Sequence, residues 1–260
     1  MEALLLFLLV AVLIFSIRFP WWKSAVDYDQ PRILMYHMIA NRSKAEQLPN
    51  LAVSPGKFKW HLWWLRINGW TFATLADVLE SQHPRKTVVL TFDDGYLDNL
   101  THALPLLVAY NAKATVFLIG DRADIHEGGA SDGTPLAPMM TDADVRKLIS
   151  FGCIELGGHT LNHSNLTMLS REEQRWQIAA GRQRLVDTFN VPVTTFAYPL
   201  GEYDAELVEE VQKIGFSAAV TTKKGVSDLE DERFELRRVK ISGRDNFLSF
   251  PIQMRIGRKR

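Results

Sequence analysis

Cysteine is almost missing from this 260-residue chain. The one present, Cys153, excludes an intrachain disulfide framework and any cysteine-based zinc cluster. An excess of charge is missing too: Lys plus Arg number 30 and Asp plus Glu number 30, for a formal net charge of zero. Recognition of nucleic-acid phosphates needs a clear basic excess, so nucleic acid is not expected as a partner. No internal repeat or low-complexity tract is visible, and 47% hydrophobic with 23% charged residues excludes a disordered chain. A chain of this size buries roughly 70–75% of the surface its unfolded form exposes and needs no staples.

A long apolar run is present at the N-terminus. Residues 3–17 read ALLLFLLVAVLIFSI, with Ser16 alone polar. A helix of that length covers roughly 22 Å against a hydrocarbon core near 30 Å. Phe19, Pro20, Trp21 and Trp22 extend it, with the two tryptophans where an interfacial aromatic belt would sit. A cleaved signal peptide has basic residues before its apolar run and small ones after it, whereas here Glu2 precedes and IRFPWW follows. The expectation is an uncleaved single-pass anchor over residues 1–22, a linker over 23–31, one folded domain over 32–245 and a basic tail over 246–260. Arg18 and Lys23 flank the run on its C-terminal side, which by the positive-inside rule favours a cytosolic domain.

Beyond the linker, strand-like and helix-like segments alternate. Short apolar runs occur at 33–38 (ILMYHM), 87–92 (TVVLTF), 115–119 (TVFLI), 154–156 (IEL), 194–198 (TTFAY), 217–221 (SAAVT) and 236–241 (LRRVKI). Helical patterns fall near 57–68, 96–110, 142–151, 171–189 and 204–214, with Thr141 and Ser170 placed as N-caps and Glu173 completing a capping box. Such alternation over most of the chain predicts a parallel sheet, most simply a closed α/β barrel. Residues 120–140 are rich in Gly, Pro, Asp and Ser and read as a loop or lid. Trp60, Trp63, Trp64 and Trp70 cluster in one segment, read as core packing with a membrane-facing or sugar-stacking surface as the alternative.

The chemistry sits at strand ends. Asp93, Asp94 and Gly95 follow TVVLTF. Adjacent carboxylates leaving a buried strand point in different directions, so one can bind a cation while its neighbour faces a water. An Asp-Gly turn with solvated side chains is the plainer alternative. His159 and His163 stand four apart in HTLNH, a spacing that puts both on one face of a helical turn, about 6 Å between Cβ atoms, where they can share a metal. With Asp94 they make a set that zinc, iron, cobalt or manganese could occupy on ligand type alone.

TFDDGY at 91–96, HTLNH at 159–163, FAYPLGEYD at 196–204 and GFSAAVTTKKG at 215–225 together resemble the motifs of the polysaccharide deacetylases. These are the NodB-homology enzymes of carbohydrate esterase family 4, and the resemblance spans about residues 32–245. It implies a distorted (β/α)7-type barrel, in line with the seven apolar runs. It further implies that Asp94, His159 and His163 bind a divalent metal, most often Zn2+, and that Asp93 is the general base for the attacking water. The amide of an N-acetylated sugar would be the target, the oxyanion would be met by the backbone N–H of Leu200 after Pro199, and a histidine would protonate the leaving amine.

Two departures from the family pattern stand out. Ala197 occupies the position where an arginine usually braces the catalytic aspartate; Arg238, or Arg237 beside it, could supply that guanidinium from the last strand. The late leucine-histidine motif is missing, and no histidine follows His163. ILMYHM resembles an early YH strand in family members acting on poly-N-acetylglucosamine-type glycans, which points to His37 as the acid; a buried histidine bonded to backbone is the alternative. His61 and His102 in helical patterns and His83 in a turn read as packed or solvated, and His126 in the long loop could touch substrate. The expected activity is metal-dependent removal of N-acetyl groups from a glycan. The alternatives are a deacetylase or deformylase of a lipid-linked sugar, and a barrel that binds glycan without turning it over. Family habit places such a domain outside the cytoplasm, against the two flanking charges.

Overall fold

In the computed structural model of the chain, the described residues are 2–18, 22–41, 50–122 and 137–257. Among them are strands β1 (Arg32–Tyr36), β2 (Thr71–Ala73), β3 (Thr87–Asp94), β4 (Ala114–Leu118), β5 (Ile154–Gly158), β6 (Thr195–Ala197), β7 (Ala218–Lys224) and β8 (Leu236–Lys240). Every pairing between them is parallel. The order runs β1-β8-β7-β6-β5-β4-β3, and β1 pairs back onto β3, so seven strands close into a barrel. β2 is the strand that three residues of TFA hid from sequence reading. It shares an edge of β3 with β4: Thr71–Ala73 lie along 87–89, and β4 lies along 91–94.

The helices are α1 (Glu2–Arg18), α2 (Pro55–Ile67), α3 (Leu75–Glu80), α4 (Leu104–Ala109), α5 (Asp142–Ile149), α6 (Arg171–Phe189), α7 (Ala205–Lys213) and α8 (Ser249–Ile256). Capping boxes start α3 at Thr74, α5 at Thr141 and α6 at Ser170. The helical pattern near 96–110 divides: a π-helical turn at Asn99–Ala103 precedes α4. Pro105 lacks an N–H and crowds the carbonyl four residues before it, which a wider turn relieves.

Period-two alternation sorts each strand into an inner and an outer face. Ile33, Val89, Phe117, Ala197, Val220 and Leu236 fill the lumen, and Leu75 and Val78 of α3 plug its floor. Glu155 lies in that floor and accepts from the Ala76 amide and the hydroxyls of Thr115 and Thr195. Gly157 clears space for the Phe117 ring: a Cβ there would lie 2.4 Å from a ring carbon and 2.9 Å from Thr195 Oγ1.

One expectation needs correction, and two segments carry more structure than their sequence shows. The apolar N-terminal run does form a helix, but α1 is 17 residues long, roughly 25 Å at the α-helical rise. No helix among the described residues is long and apolar enough to cross a membrane. The spanning anchor over 1–22 is therefore not supported, and Phe19, Pro20 and Trp21, which would have lengthened it, lie outside the described residues. The linker over 23–31 is not free, because buried Arg32 binds the carbonyls of Val26, Asp27 and Gln30, and that of Met254. The basic tail over 246–260 is largely α8, whose Phe250 and Met254 are wholly buried; the apolar spacing outweighs its terminal charge. Arg258, Lys259 and Arg260 lie outside the described residues, as does most of the expected loop at 120–140.

Gly157→Ala is expected to destabilise the fold by about 1–3 kcal/mol through overpacking against Phe117. Thermal denaturation reads this, and an unchanged melting temperature would show slack in the lumen.

Candidate active site

The C-terminal ends of the barrel strands surround a cavity of about 520 Å³ whose lining includes His37, Asp93, Asp94, His159, His163 and Leu200. Alternation along β3 sends Asp93 inward with Val89 and Thr91. Asp94 would face away in regular strand geometry, but its φ of 75° turns the backbone so that its carboxylate joins the cavity.

Arg238 comes from β8 and grips Asp93 with both ends of its guanidinium, at 2.7 and 2.8 Å. It also donates to Thr91 Oγ1 at 3.0 Å and to the Thr221 carbonyl at 2.9 Å, and lies over the Phe117 ring. Arg237 points elsewhere and pairs with Glu232. Burial by itself raises the Asp93 carboxyl, but the Arg238 guanidinium, helped by His37, outweighs it and holds Asp93 below the usual carboxylate range. Burial likewise opposes ionisation of Asp94, and His159, His37 and His163 override it and hold Asp94 well below that range. His37 follows β1, with Nε2 3.8 Å from Asp93 Oδ2. Burial pulls His37 below its ordinary value, and the Asp93 charge offsets this in part.

Asp94, His159 and His163 each offer one ligand atom, all within 4.8 Å of one another. His159 Nδ1 lies 2.7 Å from the Ala197 carbonyl, which can only accept, so Nδ1 carries the proton and Nε2 is left for the cavity. The Nε2 atoms of His159 and His163 lie 3.3 and 3.5 Å from Asp94 Oδ1. Two imidazoles and a carboxylate converging on one point suit a divalent cation that accepts nitrogen and oxygen ligands.

The two histidines do not sit on a helical turn, as their spacing predicts. They flank a tight turn in which Thr160 and His163 have φ values of 63° and 61°. The His163 amide donates to Thr160 Oγ1 at 3.0 Å. From behind, Gly181 of α6 packs so closely that a Cβ there would lie 2.5 Å from the Thr160 carbonyl carbon. Leu200, after Pro199, also has a left-handed φ of 60° and is 55% exposed at the cavity.

Thr222 and Lys240 line the cavity as well and were missed in the sequence. The signal was there, since Lys240 stands two positions beyond Arg238 and must share its face. The other histidines take structural places. His61 is buried between Tyr36 and Phe250, and burial lowers its pKa to about 3, with Lys57 adding to the effect. His102 meets the Ile39 carbonyl, His83 is half-buried beside Pro84, and His126 lies outside the described residues. Trp70 is buried and Trp60 and Trp64 pack edge-on to Phe250, while Trp63 is exposed.

Comparison with known proteins agrees with this arrangement. Residues 80–219 match the family described as polysaccharide deacetylase. YxkH of Bacillus subtilis is 30% identical over 227 residues, 85% of this chain and 75% of that protein. The poly-beta-1,6-N-acetyl-D-glucosamine N-deacetylase of Escherichia coli K12 is 26% identical over 227 residues, 74% of this chain and 34% of that protein. Among solved structures, the Streptococcus pyogenes deacetylase PplD in complex with acetate superposes with a TM-score of 0.75 at 25% identity, covering 89% of this chain and 99% of that one.

Asp94→Ala and His163→Ala are each expected to lower bound divalent metal by at least about tenfold, since loss of a ligand would exceed the 10–100-fold typical of outer-shell changes; elemental analysis of the purified variants checks this. In Arg238→Met, the largest opposition to burial is gone and the Asp93 pKa rises. The acid limb of the activity profile should therefore move to higher pH, and an unmoved limb would remove Arg238 as the group that sets Asp93.

Proposed function

The chain belongs to the polysaccharide deacetylase family, and on that premise we propose that it hydrolyses the N-acetyl amide of an N-acetylhexosamine-containing glycan with the residues of this cavity. The observation that carries the reading is the meeting of the Arg238-braced Asp93, the Asp94–His159–His163 set and His37 around one cavity. Asp94, His159 and His163 would hold a divalent cation, zinc by the habit of the family, which when bound would polarise the amide carbonyl and acidify water.

The remaining steps belong to the chain. Asp93 is kept ionised by Arg238 and accepts the proton of the attacking water. The N–H of Leu200, turned by its left-handed backbone, serves the developing oxyanion. His37 faces the same cavity and gives a proton to the leaving nitrogen, because an amide anion is too basic to depart unaided. The E. coli relative's named substrate supports a β-1,6-linked N-acetylglucosamine polymer as the class to try first. A lipid-linked sugar is the second reading. It is favoured by α1, whose residues 4–14 are exposed and almost wholly apolar, a surface that a bilayer would cover. Such a surface supports placement of the barrel at a membrane, outside the cytoplasm by the habit of the family.

The test uses the full-length chain with N-acetylglucosamine oligomers. One divalent ion per chain is expected, with acetate release that a chelator abolishes and zinc restores. Asp93→Asn is expected to retain the ion and lose at least about 10²-fold in turnover, the lower end of general-base contributions. Metal without acetate release turns the reading to formylated or lipid-linked sugars; no bound metal overturns it.

A further inference from the structure

The backbone of residues 37–39 is held by a side-chain cluster that the steps above do not use. Asn99 Nδ2 donates to the His37 carbonyl at 2.9 Å and to Asp98 Oδ1 at 3.0 Å. The same Asp98 oxygen accepts the Ile39 amide at 2.9 Å, and His102 Nδ1 lies 2.8 Å from the Ile39 carbonyl. All three side chains come from one place, the π-helical turn Asn99–Ala103 and the residue that precedes it. That turn begins five residues after Asp94, so one chain exit joins the Asp93–Asp94 strand to the His37 segment.

The arrangement carries a cost that packing alone does not explain. Asn99 is 2% exposed, and its Oδ1 is buried without a hydrogen-bond partner among the described residues. Turning the amide over would set that oxygen against two acceptors, so the observed orientation is the only sensible one. A buried polar atom left unpaired is destabilising, and an apolar side chain of similar shape would not carry one. Meanwhile the His37 ring has no hydrogen bond among the described residues, only the 3.8 Å approach to Asp93. Its position therefore follows from its backbone, and Asn99 holds that backbone at the His37 carbonyl itself.

We propose that Asn99, supported by Asp98, is a positioning residue that sets the His37 imidazole for proton transfer to the leaving nitrogen. This rests on the reading of His37 as the acid. Asn99 touches neither substrate nor metal ligands in this scheme; it acts through His37. General acids must be held within fractions of an ångström of the atom they protonate, and looseness in the supporting contacts loses rate rather than binding.

The experiment compares Asn99→Leu and Asn99→Ser with His37→Ala in the full-length chain, on an N-acetyl amide substrate and on 4-nitrophenyl acetate. The phenolate leaves without protonation, so only the amide needs the acid. For both Asn99 variants, kcat on the amide is expected to fall at least about tenfold with KM little changed, the ester rate falling several-fold less; this is part of the 10²–10⁴ that acid–base groups contribute. Asn99→Leu removes the orphaned oxygen but also the donor to the His37 carbonyl, so melting is recorded for both variants and the rates are compared per folded molecule. Where His37→Ala loses more amide than ester activity, equal losses on amide and ester in the Asn99 variants, or an unchanged amide kcat, overturn the proposal. Should His37→Ala itself lose amide and ester activity equally, the acid reading fails. The proposal is then judged by NMR of the His37 ring, assigned by its loss in His37→Ala: signals that move in both Asn99 variants sustain the positioning, and signals that stay in place overturn it.

Discussion

The buried pair between Arg238 and Asp93 is the constraint around which the upper barrel is organised. A guanidinium and a carboxylate at 1% and 4% side-chain exposure have lost nearly all hydration, and such a pair holds only if its remaining donors and acceptors are met. Here they are met from across the lumen: Thr91 and Asp93 from β3, the Thr221 carbonyl from β7, and the Phe117 ring from β4. The pair ties strands that are not neighbours in sequence and defines the height at which the lumen stops being apolar. Below it lie Ile33, Val89, Val220 and Leu236; above it opens the cavity.

Around that fixed charge, the backbone is forced into conformations that side chains ordinarily avoid. Asp94, Thr160, His163 and Leu200 all have positive φ, each at roughly 1–2 kcal/mol. Local contacts hold them there: the Thr160 hydroxyl takes the His163 amide, and Gly181 admits the helix behind the turn. Three of the four line the cavity, and strain of this kind persists where the surroundings over-determine it. The return is rigid placement of the Asp94, His159 and His163 side chains, whose nearest polar atoms all lie within 4.8 Å of one another.

Particular residues show how far the sequence could be read. Asp93, Asp94, His159 and His163 were legible because chemistry at strand ends leaves a local signature in short motifs. The turn joining the histidines was not, because a spacing of four fits a helix and a left-handed turn equally well. α8 was hidden by its closeness to the basic terminus, and β2 by its length of three residues. The apolar N-terminal run was legible as a helix but not as a span, since α1 stops short of the hydrocarbon thickness.

A closed parallel α/β barrel and the residue types of the site follow from the sequence by itself, through alternating periodicity and motif spacing, both of which are local properties; the seven-stranded form was implied by the family resemblance. Which arginine meets Asp93 was decided only by the tertiary structure. Arg237 and Arg238 are equal in composition and propensity, and the register of β8 against β1 and β7 turns one into the lumen and the other to Glu232. The same holds for His37 and Asn99, 62 residues apart. A strand register and a closed ring place them in contact, and neither can be computed from one segment because each depends on all the strands at once.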